Sequence, residues 1–144
     1  MAVTWTGRRY LIDKSALARM RVPAVAQALR PLFESGALVT CSIIDLEILY
    51  SARNQAEYEQ VLEQRKVSYD LLPITQDVCD RAVAVQRLLA EKSRHRGASL
   101  PDLLIAACAE AHDATVVHYD ADYELIAAVT GQPVQWAVPR GTIP

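Results

Sequence analysis

Four acidic side chains stand out in the sequence because each lies in or beside an apolar segment. Asp13 and Asp120 directly follow apolar runs that are typical of strands. Asp102 lies at the start of an apolar helix, and Glu47 lies on a mostly apolar helix face. An unpaired charge is costly in such surroundings. Each acid alone has an ordinary explanation, as a turn residue, a helix cap or half of an ion pair, but together they are predicted at one end of one sheet.

A divalent cation is the natural partner for such a group of acids. Crowded carboxylates repel one another, and their pKa values rise unless a cation lies among them. Ligands that are all oxygen suit Mg²⁺ or Mn²⁺ better than zinc, which prefers nitrogen and sulfur. Such ions commonly bind phosphate as well, so the chemistry that this group favours is metal-assisted hydrolysis of a phosphodiester.

The helix that carries Asp102 is the central element of the sequence. Ser99 is predicted to cap it, and Pro101 suits its first turn because proline has a fixed φ and no N–H to leave unsatisfied. Asp102 then lies near the positive end of the helix dipole. An acid at this place has an ordinary role in complementing the dipole, and for Asp102 alone that explanation stays open beside the metal.

The alternation of strands and helices predicts the fold class. The predicted strands cover residues 8–12, 37–40, 69–72, 114–118 and 134–138. The predicted helices cover residues 16–20, 24–34, 43–53, 55–66, 76–94, 99–109 and 122–129. This order indicates an α/β fold with a parallel sheet that helices cover on both faces. Functional groups in such sheets gather beyond the carboxyl ends of the strands, where Asp13 and Asp120 are expected.

Two local signals refine the helices. Ser42 is predicted to cap the helix over 43–53, with Asp45 as the partner in a pattern like a capping box. Pro31 is predicted to kink or divide the helix over 24–34 because its ring replaces a backbone N–H.

Composition predicts one globular domain over residues 1–144. Hydrophobic residues make up 51% and charged residues 22% of the chain. The formal net charge of −2 excludes a global basic field for nucleic acid, although local arginines could still bind it. No apolar run is long enough for a membrane span, so a cytoplasmic location is expected. The three cysteines, Cys41, Cys79 and Cys108, are expected to be buried reduced thiols.

Four motifs occur together, in order, along nearly the whole chain. They are Tyr10-Leu11-Ile12-Asp13-Lys14-Ser15-Ala16-Leu17, Glu47, Leu100-Pro101-Asp102-Leu103-Leu104-Ile105-Ala106-Ala107 and Val116-Val117-His118-Tyr119-Asp120-Ala121-Asp122-Tyr123. This series resembles the PIN-domain ribonucleases, and most closely the VapC-type toxins of bacterial toxin–antitoxin pairs. The resemblance implies a three-layer α/β/α sandwich with a mostly parallel central sheet. It also implies RNA cleavage with Mg²⁺ or Mn²⁺, inhibition by a cognate antitoxin, and a homodimer.

The resemblance assigns roles to the acids position by position. Asp13, Glu47, Asp102 and Asp120 match the family's acidic quartet. By this match, Asp13 and Asp102 are the best direct metal ligands, and the other two complete the metal's surroundings or orient water. Asp122 is a fifth acid that could bind the metal through water.

Other residues are candidates for substrate binding. Ser15 matches a small hydroxyl residue that lies beside the metal in the family, although a role as helix cap is equally open. Lys14 stands where threonine is more often expected, so its role stays open. Arg94 and Arg96 could contact RNA phosphates or simply form a basic helix end. His118 could reach substrate, or it could be a buried strand residue.

Two other classes of function compete with the nuclease. Asp13 could be the covalent nucleophile of a phosphatase, but Ser15 occupies the position where the haloacid-dehalogenase-type phosphatases carry a second aspartate. Alternatively, the acids could hold a structural ion or a basic peptide in a protein without catalytic activity.

Overall fold

The computed structural model describes residues 3–144, so Met1 and Ala2 of the predicted domain lie outside the described residues. Within this range five strands form one sheet: β1 Arg9–Ile12, β2 Leu38–Thr40, β3 Asp70–Leu71, β4 Ala114–His118 and β5 Val134–Trp136. The same range contains seven helices: α1 Lys14–Leu17, α2 Pro23–Ser35, α3 Ser42–Tyr50, α4 Gln55–Ser68, α5 Gln76–Glu91, α6 Leu100–Ala111 and α7 Asp122–Thr130.

The sheet is parallel throughout, with the strand order β3-β2-β1-β4-β5. The central strand β1 pairs with β2 on one side and with β4 on the other, so that Leu11 lies opposite Val39 and Val116. At the carboxyl ends of β1 and β4, the backbone N–H of Asp13 donates to the carbonyl of Val117 at 2.8 Å. The residues that follow these two strands are therefore neighbours, as expected for parallel strands that end at the same edge.

Side chains of β1 pack alternately on the two faces of the sheet, as the two-residue period of a strand requires. Leu11 belongs to a core cluster with residues of α3, α5, α6 and α7, whereas Tyr10 and Ile12 belong to a second cluster with residues of α1 and α2. Helices therefore cover both faces. This arrangement confirms the predicted three-layer α/β/α sandwich with a parallel sheet.

Helix α6 is held in place at both ends. Ser99 is its N-cap, and the backbone N–H of Asp102 donates to the Ser99 hydroxyl oxygen at 3.3 Å. Near the other end, Arg81 of α5 donates to both carboxylate oxygens of Glu110, at 2.7 and 3.1 Å. Most side chains between these ends are buried. The carboxylate of Asp102 thus projects from a firmly packed element.

The predicted cap at the start of α3 is wrong. Cys41 is the N-cap and makes no side-chain capping bond, while Ser42 is the first helical residue. The carboxylate of Asp45 instead accepts hydrogen bonds from the Thr40 hydroxyl at 3.1 Å and from Arg65 Nε at 2.7 Å. Because Arg65 is buried, Asp45 serves as its counter-ion rather than as a cap.

The structure also differs from the prediction at Pro31 and at the end of α5. Pro31 lies inside α2, which continues to Ser35, so this proline does not divide the helix. Helix α5 ends at Glu91 rather than at Arg94. Ser93 has a φ of 56°, in the left-handed region, and a helix cannot continue through that conformation.

The cysteines are free thiols, and two of them, Cys41 and Cys108, are buried as predicted, while Cys79 is partly exposed. Across residues 3–144, no helix combines the length and the apolar character needed to cross a membrane.

Candidate metal centre

An open cavity of about 320 Å³ lies where β1 and β4 end and α6 begins. Its lining includes five carboxylates, those of Asp13, Glu47, Asp102, Asp120 and Asp122. They come from four separate parts of the chain: the end of β1, the middle of α3, the first turn of α6 and the start of α7. The structure therefore brings together all five acids that the sequence pointed to.

Asp13 is almost fully buried and both of its carboxylate oxygens accept hydrogen bonds. As the N-cap of α1, it accepts the backbone N–H of Ser15 on Oδ2 at 2.9 Å. Its Oδ1 accepts the hydroxyl of Tyr123 at 2.8 Å. These bonds fix the orientation of the carboxylate at the bottom of the cavity.

The pKa of the Asp102 carboxyl group is strongly perturbed. Burial, followed by the negative charge of Asp13, raises the pKa of Asp102 to about 8. Its Oδ1 accepts the Tyr123 hydroxyl at 3.1 Å, a bond that opposes the rise. The N-terminal position on α6 therefore does not suffice to keep this buried acid ionised without further positive charge.

Asp120 lies in the short turn between β4 and α7, and Asp122 is the first residue of α7. The backbone N–H of Asp122 donates to Asp120 Oδ1 at 2.9 Å, and the backbone N–H of Ser99 donates to Asp122 Oδ2 at 3.1 Å. Burial raises the pKa of Asp120. The second of these bonds joins the turn to the start of α6, so the two segments hold their acids side by side.

Glu47 faces the cavity from α3 with one oxygen lacking a partner. Its Oε1 is buried and, among the described residues, has no hydrogen-bond donor. Burial and the charge of Asp13 raise the pKa of Glu47, whereas the nearby charge of Lys14 lowers it. A buried acceptor without a donor is rare in folded proteins and indicates a missing polar or cationic partner.

A hard divalent cation fits this set of donors. The carboxylates of Asp102, Asp120 and Asp122 each offer one oxygen, and these atoms lie within 4.8 Å of one another. Oxygen ligands favour Mg²⁺ or Mn²⁺. Asp13, which the sequence pointed to as a direct ligand, lines the same cavity, and each of its oxygens accepts one hydrogen bond and keeps a further lone pair.

Comparison with protein families identifies the fold. The family model described as PIN domain matches residues 10–129. The chain belongs to the PIN-domain family. This PIN domain is 50% identical over 135 residues to Ribonuclease VapC51 of Mycobacterium tuberculosis, with 94% of this chain and 97% of the relative covered. It is 45% identical over 134 residues to Ribonuclease VapC21 of the same organism, with 93% and 97% covered. The resemblance seen in the motifs is thereby confirmed.

Solved structures share the architecture of the PIN domain. VapBC2 from Rickettsia felis, bound to a DNA fragment from its promoter, matches with a TM-score of 0.69 at 15% identity, covering 88% of this chain and 97% of that chain. VapBC-1 from nontypeable Haemophilus influenzae matches with a TM-score of 0.67 at 18% identity, covering 89% and 97%. At such low identity these matches support the fold alone.

Two predicted substrate-binding residues of the PIN domain have structural contacts. Ser15 lines the cavity, but its hydroxyl oxygen accepts the backbone N–H of Tyr119 at 2.9 Å and caps no helix. The prediction that His118 reaches substrate is corrected, because its side chain is 0% exposed. The His118 ring lies between Tyr123 and Trp136, with centroids at 5.0 and 4.8 Å. Its Nδ1 accepts the backbone N–H of Asp120 at 3.2 Å, so His118 supports the turn that carries the acids.

Arg94 and Arg96 lie in the exposed segment between α5 and α6. They do not line the acidic cavity, although this segment leads directly to Ser99, which does. The structure thus places neither guanidinium group in the wall of the cavity.

One residue at the site, Tyr123, belongs to the last of the four motifs but had no role assigned from sequence. Its hydroxyl contacts Asp13 and Asp102 beneath the cavity, and its pKa is raised well above the usual value by burial and by these two carboxylates. From sequence, Tyr123 is one more large residue on the apolar face of α7. The only available signal was its position three residues after Asp120, which places it in the same turn of chain.

Proposed function

We propose that this PIN domain is an endoribonuclease that depends on Mg²⁺ or Mn²⁺, and that it is the toxin of a toxin–antitoxin pair. The observation that carries the proposal is the convergence of five carboxylates on one cavity. Its relatives with 45% and 50% identity are named ribonucleases, which supports RNA as the substrate.

Each carboxylate has a role in this proposal. Asp102, Asp120 and Asp122 would hold the cation, since their oxygens lie close together. Asp13 would complete the site from below, and Glu47 would use its unpartnered Oε1 for the cation or for an attacking water. When bound, the cation would lower the pKa of that water and neutralise charge on the phosphodiester.

Cationic side chains would bring the RNA backbone to the cavity. Lys14 lines the cavity beside the acids, where its ammonium group would attract a phosphate. We propose phosphate contacts for Arg94 and Arg96, which are exposed on the segment before Ser99. Ser15 is available at the cavity wall as a further polar contact, whereas the buried His118 is not.

An antitoxin would inhibit the enzyme by covering the surface next to the acids. A second cavity of about 510 Å³ adjoins the first through Lys14, which lines both. Its wall is largely apolar and includes Leu17, Phe33, Ile48, Val61 and Tyr69. The solved structures with a similar fold are of VapBC2 and VapBC-1, and by analogy of fold we propose a bound partner for this chain.

A homodimer is proposed from a separate apolar face. Val83 of α5 and Leu100 of α6 are each 66% exposed and line one shallow cavity with Leu103 and Leu104. Exposed apolar side chains that cluster in this way favour association, because burying them removes apolar surface from water.

The test is cleavage of a panel of labelled RNAs with Mg²⁺ or Mn²⁺, with chelator, and with the Asp102→Asn variant. Cleavage is expected only with metal and only for the native protein. The matched control is Asp77→Asn, because Asp77 also lies in the first turn of a helix but is exposed and does not line the cavity. It is expected to keep full activity.

Two results would contradict the proposal. Cleavage that persists in chelator and in Asp102→Asn would exclude the metal mechanism. Metal binding without cleavage of any RNA would favour the binding protein without catalytic activity. The phosphatase is disfavoured because Ser15 occupies the position where the haloacid-dehalogenase-type phosphatases carry a second aspartate.

A further inference from the structure

The hydroxyl of Tyr123 joins two of the acids from below the cavity. It lies 2.8 Å from Asp13 Oδ1 and 3.1 Å from Asp102 Oδ1. The whole side chain is 0% exposed, and its ring packs against the His118 ring with the centroids 5.0 Å apart. The position of the hydroxyl is therefore fixed by packing, and bulk solvent does not reach it.

One hydroxyl proton serves two acceptors at this place. A phenol donates a single hydrogen, and near neutral pH it remains protonated. The two carboxylate oxygens compete for that hydrogen and so are held around one point. Asp13 and Asp102 come from different elements, β1 with its following turn and α6, which are distant in the sequence. The phenol thus links these elements through the ends of their acids.

The hydrogen bonds to Tyr123 affect how the carboxylates of Asp13 and Asp102 are oriented toward a cation. Each carboxyl group has one oxygen bound to the phenol, which limits its rotation, while Asp13 has its other oxygen bound to the backbone of Ser15. Groups that hydrogen-bond to metal ligands in this way commonly set the orientation of those ligands.

We propose that Tyr123 is a positioning residue for the metal centre, whose hydroxyl orients Asp13 and Asp102 so that the cavity binds its cation tightly. This inference rests on the proposed function only in requiring that the cavity binds a divalent cation. The rest of the side chain, its ring, belongs to the core and would be kept by phenylalanine.

The test is Mn²⁺ binding to Tyr123→Phe, measured by electron paramagnetic resonance of the free ion. The dissociation constant is expected to rise about tenfold, the lower end of what loss of such a supporting hydrogen bond causes. Half-maximal RNA cleavage should need about tenfold more metal, while the rate at saturating metal changes less than the affinity. The matched control is Tyr10→Phe, because the Tyr10 hydroxyl is also part-buried and donates to the Gly7 carbonyl at 2.7 Å, away from the cavity. Its Mn²⁺ affinity should stay within about twofold of the native value.

The outcomes separate this inference from the proposed function. Native affinity in Tyr123→Phe would overturn the inference and leave the metal centre intact. No Mn²⁺ binding by the native protein would contradict the metal centre itself. Should Tyr123→Phe fail to fold by circular dichroism, native protein labelled with 3-fluorotyrosine answers the question. Saturating Mg²⁺ should then shift the fluorine resonance of Tyr123 and leave that of Tyr10 in place, and an unshifted Tyr123 would refute the role.

Discussion

Replacement of Asp102 by asparagine is expected to make the metal-free protein more stable. Asp102 is 6% exposed, and burial together with the charge of Asp13 raises its pKa to about 8. Asparagine has nearly the same shape and can still accept the Tyr123 hydroxyl through its Oδ1. It carries no charge, and its amide can donate to the neighbouring carboxylates. The substitution therefore removes repulsion while keeping the packing.

The magnitude follows from the pKa. A rise from 3.8 to about 8 corresponds, at about 1.36 kcal/mol for each unit, to at most about 6 kcal/mol of unfolding free energy. Between these pH values the folded protein holds a proton on Asp102 that the unfolded chain has released, so stability falls as pH rises. Because water enters the open cavity and screens the charge, we expect a gain of about 2–3 kcal/mol for the variant at pH 8. For a chain of this size that is a rise in Tm of about 6–12 °C.

The assay is thermal unfolding in chelator from pH 5 to pH 9, followed by circular dichroism. The Tm of the native protein should fall across this range more steeply than that of Asp102→Asn. Addition of Mg²⁺ should raise the Tm of the native protein alone, since a ligand of the folded state stabilises it. If Asp102→Asn were the less stable protein at pH 8, Asp102 would be an ordinary acid that complements the dipole of α6, and the reasoning from crowded carboxylates would be refuted.

Further predictions concern residues around the cavity. Glu47→Gln is expected to weaken Mn²⁺ binding about 10- to 100-fold, because within residues 3–144 nothing donates a hydrogen bond to the Glu47 Oε1 that it alters. If calorimetry finds unchanged Mn²⁺ affinity, Glu47 does not belong to the metal centre. Burial lowers the pKa of His118 from 6.5 to about 4. Between these pH values the unfolded chain binds a proton on His118 and the folded protein does not, so the free energy of unfolding decreases as pH falls from 6.5 to about 4. His118→Asn keeps an acceptor for the Asp120 backbone N–H. Its free energy of unfolding in urea should decrease less between pH 6.5 and pH 5 than that of the native protein. An equal decrease in both proteins would contradict a neutral, buried His118. Arg94→Ala and Arg96→Ala should each reduce by about one the slope of the logarithm of RNA affinity against the logarithm of salt concentration, without a change in Tm. A lowered Tm with native salt dependence would instead assign these arginines to structure.

Local patterns in the sequence were enough to predict where most of the acids lie. The cap at Ser99 and the proline after it predict the start of α6, and the structure contains that cap. Asp13 and Asp120 follow apolar runs, and in a parallel sheet such positions gather at one edge. These predictions depend on interactions between residues that are close in the chain, which is why the sequence alone could support them.

Interactions between distant residues could not be predicted in this way. Ser42 and Asp45 have the residue types of a capping box, but Asp45 instead pairs with Arg65, 20 positions away. The hydroxyl of Tyr123 finds Asp13 at a separation of 110 residues. From sequence, His118 could either reach substrate or be a buried strand residue. Its packing between the rings of Tyr123 and Trp136 shows that it is buried. In each case the partner becomes visible only after the sheet and its covering helices are assembled.

The order of the strands has a consequence for synthesis of the protein. The central pair, β1 and β4, comes from the beginning and the last third of the chain, and the acids that follow them meet only when both are present. A nascent polypeptide that has exposed only its first half carries Asp13 and Glu47 without Asp102, Asp120 or Asp122. The cavity of carboxylates in a domain with this topology therefore assembles only when nearly all of the chain has left the exit tunnel.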